Sequence, residues 1–302
     1  MKPSLRSRRG GFARLWLQFR PAWHNRVSLM PYVRTRLGRL FYDEHGKTQH
    51  AGDPAMVLLH GLLFDGGSWR GQIEALSALG RVIVIDGPGH GRSEPPPKFT
   101  LEEHTDALLD AFGDLDVPRA LVIGLSWGGM IGMRLALQHP AKVAGLALLD
   151  TSAEKQTFAE RVRYRAFVAM HRRVGMPYSL YINKVAPELF GPRTLRECMD
   201  LVDAAYRRTM GFDREGVARA ALAVVVHRTD ILTKIERIRA PTLVLCGKED
   251  RATTPDKAES IARAIPSSRL VMIEGAGHMS ALEEPAAVNE HLVPFARSVV
   301  SA

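Results

Sequence analysis

A serine, a histidine and a carboxylate can together make a strong nucleophile out of a weak one, and this sequence offers all three at loop positions. The serine is Ser126, at the centre of Gly124-Leu125-Ser126-Trp127-Gly128. An apolar run at 120–123 precedes it and a helix-like stretch at 128–139 follows. A serine on so tight a strand-to-helix turn points its hydroxyl out of the sheet. Neighbouring side chains would collide in such a turn, which accounts for the flanking Gly124 and Gly128. The helix that begins there also aims its positive end at the place where an oxyanion would form.

A base for Ser126 should stand on a loop just past a strand end, placed by the backbone. His278 does so, in Glu274-Gly275-Ala276-Gly277-His278 after the apolar run ending at Ile273. A structural histidine would sit inside a periodic element instead. The carboxylate that fixes the imidazole tautomer should lie between the two in sequence. Asp250 fits, in Gly247-Lys248-Glu249-Asp250 after the run ending at Cys246. Two rivals stand beside it: Glu249, expected to point the other way, and Asp150, at the end of the preceding strand.

Acyl transfer also needs two N–H donors for the oxyanion. One is expected from Trp127, the residue after the serine. The other is expected from Leu62, in the loop His60-Gly61-Leu62-Leu63, with His60 shaping that loop rather than reacting. The segment Asp86-Gly-Pro-Gly-His90-Gly-Arg92-Ser93 has three glycines but no Gly-Lys-Ser/Thr and opens no nucleotide-type helix. It reads as a structural turn, with Asp86 bonding nearby backbone or Arg92.

Elements able to hold these loops follow from the apolar pattern. Continuous apolar runs at 57–59, 81–85, 120–123, 143–149, 242–245 and 269–273 read as strands buried on both faces. Helical stretches such as 100–112, 128–139 and 255–264 alternate with them, which implies an α/β fold with a doubly wound, mostly parallel sheet. Residues 153–230 break the alternation. They read as helices at 154–174, 177–190, 193–210 and 214–226, an all-helical cap inserted into the core. The expected division is an arm at 1–38, a core at 39–152 and 231–302, and the cap at 153–230.

The net charge of +9 is localised: residues 1–42 hold ten Lys/Arg and no Asp or Glu, while the rest holds 31 basic against 32 acidic groups. Whole-chain charge therefore gives no support to nucleic-acid binding. The arm reads first as a solvated basic tail. The sharper alternative is a basic amphipathic segment making peripheral contact with an anionic membrane surface. It lacks the clean apolar stretch of a secretory signal. Two cysteines, Cys198 and Cys246, suggest no disulfide framework and hence a cytoplasmic location. No metal-ligand cluster is visible, and neither metal nor organic cofactor is expected.

His60-Gly61, Asp86-x-x-Gly-His-Gly-x-Ser93, Gly124-x-Ser126-x-Gly-Gly129, Ala240-Pro-Thr-Leu-Val244, Asp250 and Gly-x-Gly-His278 together resemble the α/β-hydrolase superfamily. The order serine, acid, histidine is that fold's order, and the likeness runs from about Arg39 to Phe295. The stretches 124–133, 150–153 and 278–285 look most like 3-oxoadipate enol-lactonases and related esterases. This implies hydrolysis of a small carboxylic ester or lactone by a serine hydrolase. Cofactor-free perhydrolases and carbon–carbon bond hydrolases share much of the pattern and stand as alternatives. A non-catalytic binding protein of the same fold is another, although such proteins usually lack part of the triad. Haloalkane dehalogenases and epoxide hydrolases of this fold use aspartate where Ser126 stands, so those readings fall.

Overall fold

The computed structural model describes residues 31–50 and 52–301. The basic segment before them, with its solvated-tail and membrane-contact readings, lies outside the described residues. The chain enters the sheet by a hairpin, β1 (Tyr32–Thr35) and β2 (Gly38–His45). The core therefore begins at Tyr32, not at 39 as the sequence suggested. These two strands mix buried, half-buried and exposed residues and carry Arg34, Arg39, Asp43 and Glu44, so no continuous apolar run announces them. Arg36 in the hairpin turn fastens it to Asp106 and Asp110 of the neighbouring helix.

All six strands read from the sequence form: β3 (Ala55–Leu59), β4 (Val82–Ile85), β5 (Ala120–Leu125), β6 (Val143–Leu149), β7 (Thr242–Gly247) and β8 (Ser268–Ile273). The eight strands lie in the order β1-β2-β4-β3-β5-β6-β7-β8. Only the β1/β2 and β2/β4 pairings are antiparallel. Strands β3 to β7 are buried along their whole length. Alternate residues feed two apolar clusters. Val57, Ile83 and Val122 belong to one, and Met56, Val84 and Ile123 to the other. Burial on both faces is what made these strands read as unbroken apolar runs.

The core helices are α1 (Arg70–Ser77), α2 (Leu101–Asp114) and α3 (Trp127–Gln138) before the insertion. Helix α2 starts at a capping box, Thr100 with Glu103. Between β6 and β7 the chain is helical, with no strand: α4 (Phe158–Val174), short turns from Tyr178 to Glu197, α5 (Met199–Met210) and α6 (Arg214–Ala221). Thr157 and Glu160 form a second capping box at the start of α4. The run expected at 177–190 is helical from Tyr178 to Leu189 but widens into a π-turn at Tyr181–Val185. Pro187, just beyond it, has no N–H to continue an ordinary helical ladder. After β7 come α7 (Pro255–Ala264) and, past β8, α8 (Pro285–Val300). Among the described residues no helix is long and apolar enough to cross a membrane.

The insertion is pinned to the core from several sides. Arg208 pairs with Asp65, and the Thr209 hydroxyl donates to the Leu63 carbonyl at 2.7 Å. Arg219 donates to the Pro96 carbonyl at 2.6 Å. Gly89 and Gly216 meet backbone to backbone, so that a Cβ on Gly89 would stand 2.7 Å from the Gly216 Cα. Within the insertion Arg172 and Arg219 pair with Glu215, and Arg193 reaches Glu284 of the core.

Candidate active site

Strand β5 ends at Leu125 and α3 begins at Trp127, leaving Ser126 alone in the turn, with φ 52° and ψ −109°. A non-glycine residue there stores roughly 1–3 kcal/mol of backbone strain. Contacts on both sides hold it: Ser126 N–H donates to the Leu149 carbonyl at 2.8 Å, and the Thr151 hydroxyl donates to the Ser126 carbonyl at 2.7 Å. The flanking glycines are needed for closeness. A Cβ on Gly124 would stand 2.4 Å from the Gly128 carbonyl, and one on Gly128 only 2.1 Å from the Leu59 oxygen.

Three loops converge on this turn. His278 Nε2 lies 2.9 Å from the Ser126 hydroxyl, and its Nδ1 lies 2.9 Å from Asp250 Oδ2. All three side chains are buried. Asp250 is itself held: Oδ1 accepts the N–H groups of Ala252 and Thr253 at 2.8 and 2.9 Å, and Oδ2 accepts the Thr253 hydroxyl at 2.8 Å. Burial disfavours the imidazolium of His278. The charge and hydrogen bond of Asp250, with the charges of Asp150 and Glu283, more than offset this, and the pKa of His278 stands above its ordinary value.

The rival acids are placed elsewhere. Glu249 is exposed. Asp150, with φ 47°, makes no hydrogen bond to the imidazole. It accepts the Gly247 N–H at 2.8 Å, and the N–H and hydroxyl of Ser280 at 3.2 and 2.5 Å. It thereby braces the loop of Asp250 against the loop of His278. Burial, and then the charge of Asp250, push the Asp150 pKa up to about 8. Asp150, Cys246 and Asp250 bring potential metal-ligand atoms within 4.8 Å of one another. The carboxylates there already spend their lone pairs on N–H and O–H donors of the protein.

The loop after β3 lies against the nucleophile: a Cβ on Gly61 would stand 3.3 Å from Ser126 Cβ. His60 shapes that loop, accepting the Gly87 N–H on Nε2 at 2.7 Å and so donating from Nδ1 to the Gly61 carbonyl at 2.8 Å. Among the described residues, neither the Leu62 N–H nor the Trp127 N–H has an acceptor within the protein. These are the two donors expected from the sequence. Asp86 bonds backbone, accepting from Gly66 N at 2.8 Å and Arg92 N at 3.0 Å. The guanidinium of Arg92 lies over the Phe41 ring instead.

Behind the elbow, His90 and His104 pack on the Trp127 ring, with centroids 5.3 and 4.8 Å away. Burial pushes both imidazoles down to about 3. A depressed histidine contributes stability above its unfolded value of 6.5. That stability is lost as pH falls, because the unfolded chain takes up the proton and the folded one does not. Each such site costs about 1.4 kcal/mol per pH unit. Replacing His104 with Phe should therefore improve stability relative to the parent by about 2 kcal/mol between pH 7 and pH 5. Urea unfolding at the two pH values measures this, and a constant difference would refute it.

Sequence reasoning passed over the residues that support the triad: Thr253, Thr151, Ser280, Asp150 as a brace, and Glu283. Thr253 alone stands in a segment with a local signal, since an Asp such as Asp250 commonly accepts the N–H two residues on and turns the chain there. Thr151 and Asp150 act between neighbouring strand ends, Asp150 holding Ser280, and Glu283 ties its own loop to the insertion, meetings that only the fold creates.

Residues 56–291 match the family model described as "Alpha/beta hydrolase family". A thermophilic esterase from Thermogutta terrifontis superposes with a TM-score of 0.81 at 29% identity, over 89% of this chain and 98% of that one. The enol-lactonase from Burkholderia xenovorans LB400 gives a TM-score of 0.80 at 30% identity, over 88% and 99%. In sequence, 3-oxoadipate enol-lactonase 2 from Acinetobacter baylyi is 25% identical over 79% of this chain and 87% of its own length. With its parallel sheet, helical insertion and serine elbow, the chain belongs to the alpha/beta hydrolase family.

Proposed function

We propose that this hydrolase cleaves a small carboxylic ester or lactone through an acyl-enzyme formed on Ser126. The observation that carries the reading is the continuous hydrogen-bonded line from Ser126 through His278 to Asp250, with the N–H groups of Leu62 and Trp127 left without an acceptor in the protein. His278 Nε2 takes the hydroxyl proton as Oγ attacks the substrate carbonyl. The N–H groups of Leu62 and Trp127 hold the oxyanion, and each such donor contributes roughly 3–4 kcal/mol to the transition state. Collapse expels the alcohol, which leaves with the proton from His278, and the acyl group stays on Ser126. Water then repeats the sequence: it gives its proton to His278, the acid is released, and the proton returns to Ser126. Asp250 keeps Nδ1 protonated throughout and stabilises the imidazolium. The esterase and enol-lactonase names of the similar proteins support this substrate class.

The test is a panel of p-nitrophenyl acyl esters and lactones of graded size. Turnover of at least the small activated esters is expected, with a first burst of nitrophenol equal to the enzyme concentration where deacylation is slower. A protein that hydrolyses none of them, or whose hydrolysis survives a serine-directed fluorophosphonate, is not the enzyme described here.

A further inference from the structure

Glu283 lies on a short helical turn, Ser280–Glu283, just past His278. Its carboxylate accepts four hydrogen bonds from two separate parts of the molecule. Oε1 takes the N–H of Gly277 at 2.9 Å and that of Met279 at 3.2 Å, the residues on either side of His278. Oε2 takes the Gly191 N–H at 2.8 Å and the Thr194 hydroxyl at 2.6 Å, both in the helical insertion. The two segments meet at backbone level, for a Cβ on Gly277 would stand 2.4 Å from the Gly191 nitrogen. The insertion's Phe190 in turn packs edge-on against Phe64, in the loop after β3, with centroids 6.4 Å apart.

Among the described residues Glu283 has no ion-pair partner. Its charged surroundings are Glu249, near Gly191, and the Arg193–Glu284 pair. Three carboxylates act on His278: Asp250, Asp150 and Glu283. Burial raises the pKa of Glu283, and its four donors pull against that. Only a carboxylate can accept on both oxygens at once; an amide would turn NH₂ toward one pair of donors.

We propose that Glu283 is a positioning residue: one carboxylate fixes the loop of His278 from both sides, fastens that loop to the helical insertion, and lends its charge to the imidazolium. The placement of the base is thereby coupled to the seating of the insertion over the site. This rests on His278 being the base.

The experiment compares the intact protein with Glu283→Gln, Glu283→Asp and Thr194→Val, by ester kinetics and by NMR titration of the His278 imidazole. Glu283→Gln should lower kcat about tenfold or more and move the imidazole titration roughly half a unit or more toward acid. Glu283→Asp keeps the charge but cannot span both segments, so kcat should fall while the titration stays. Thr194→Val removes one bond from the insertion and should also leave the titration in place. An unmoved titration in Glu283→Gln would overturn the proposal, as would parental kcat in Glu283→Asp, which decides the matter if the Gln variant does not fold. Turnover that survives His278→Ala would instead bring down the assignment of the base and leave the titration result standing.

Discussion

Ser126→Ala should lower kcat on a small ester by about six orders of magnitude, and His278→Ala should do nearly the same. The two groups act as a unit, so either loss leaves only what binding and the oxyanion donors contribute, and the double variant should be little worse than either alone. The fold should survive the serine change. Ser126 is held through its backbone, by Leu149 and by the Thr151 hydroxyl, and alanine keeps those bonds. Its φ of 52° costs alanine about what it costs serine. Unchanged melting with turnover lost would separate chemistry from stability. A fluorophosphonate that labels the parent at any residue other than Ser126 would refute the assignment, and so would an alanine variant that keeps more than a thousandth of the activity.

The strands that carry these groups were legible because they are buried on both faces. Leu121, Val122 and Ile123 stand among apolar side chains whichever way they point, and so read as an unbroken run. The β1–β2 hairpin was not legible, because half-buried and exposed positions, Arg34 and Arg39 among them, break up its few apolar residues. Its strands are recognised only through the partners they find, β4 for one and α2 for the other. Ser126, Asp250 and His278 each follow a strand end, so position in the sequence carried their candidacy. Their supports did not share that property. Thr151 reaches Ser126 across the gap between two strand ends, and Asp150 reaches Gly247 and Ser280 from a strand whose own end is occupied. Glu283 links residues separated by about ninety positions, and no local pattern records such a meeting.

Asp250→Asn should cost about four orders of magnitude in kcat, and the hydrogen bonds around Asp250 say why. Oδ1 accepts two backbone N–H groups, from Ala252 and Thr253. In the asparagine variant the amide oxygen must stay in that position, because NH₂ cannot accept there. The NH₂ then takes the place of Oδ2 and faces His278 Nδ1, 2.9 Å from it in the parent. Nδ1 becomes an acceptor, so the proton moves to Nε2, and a protonated Nε2 cannot take the proton of Ser126. The change also removes the charge and hydrogen bond that hold the His278 pKa up. The acid limb of kcat/KM, which reports the base in the free enzyme, should therefore move to lower pH as the maximum falls. Asp150→Asn is the control. Asp150 turns its oxygens to Gly247 and Ser280 and makes no bond to the imidazole, and burial and the charge of Asp250 favour its neutral form. Its amide should keep turnover within about tenfold of the parent, a loss near 1.4 kcal/mol. If Asp150→Asn abolishes turnover while Asp250→Asn leaves it nearly intact, the orienting carboxylate is on β6 and not on the loop after β7.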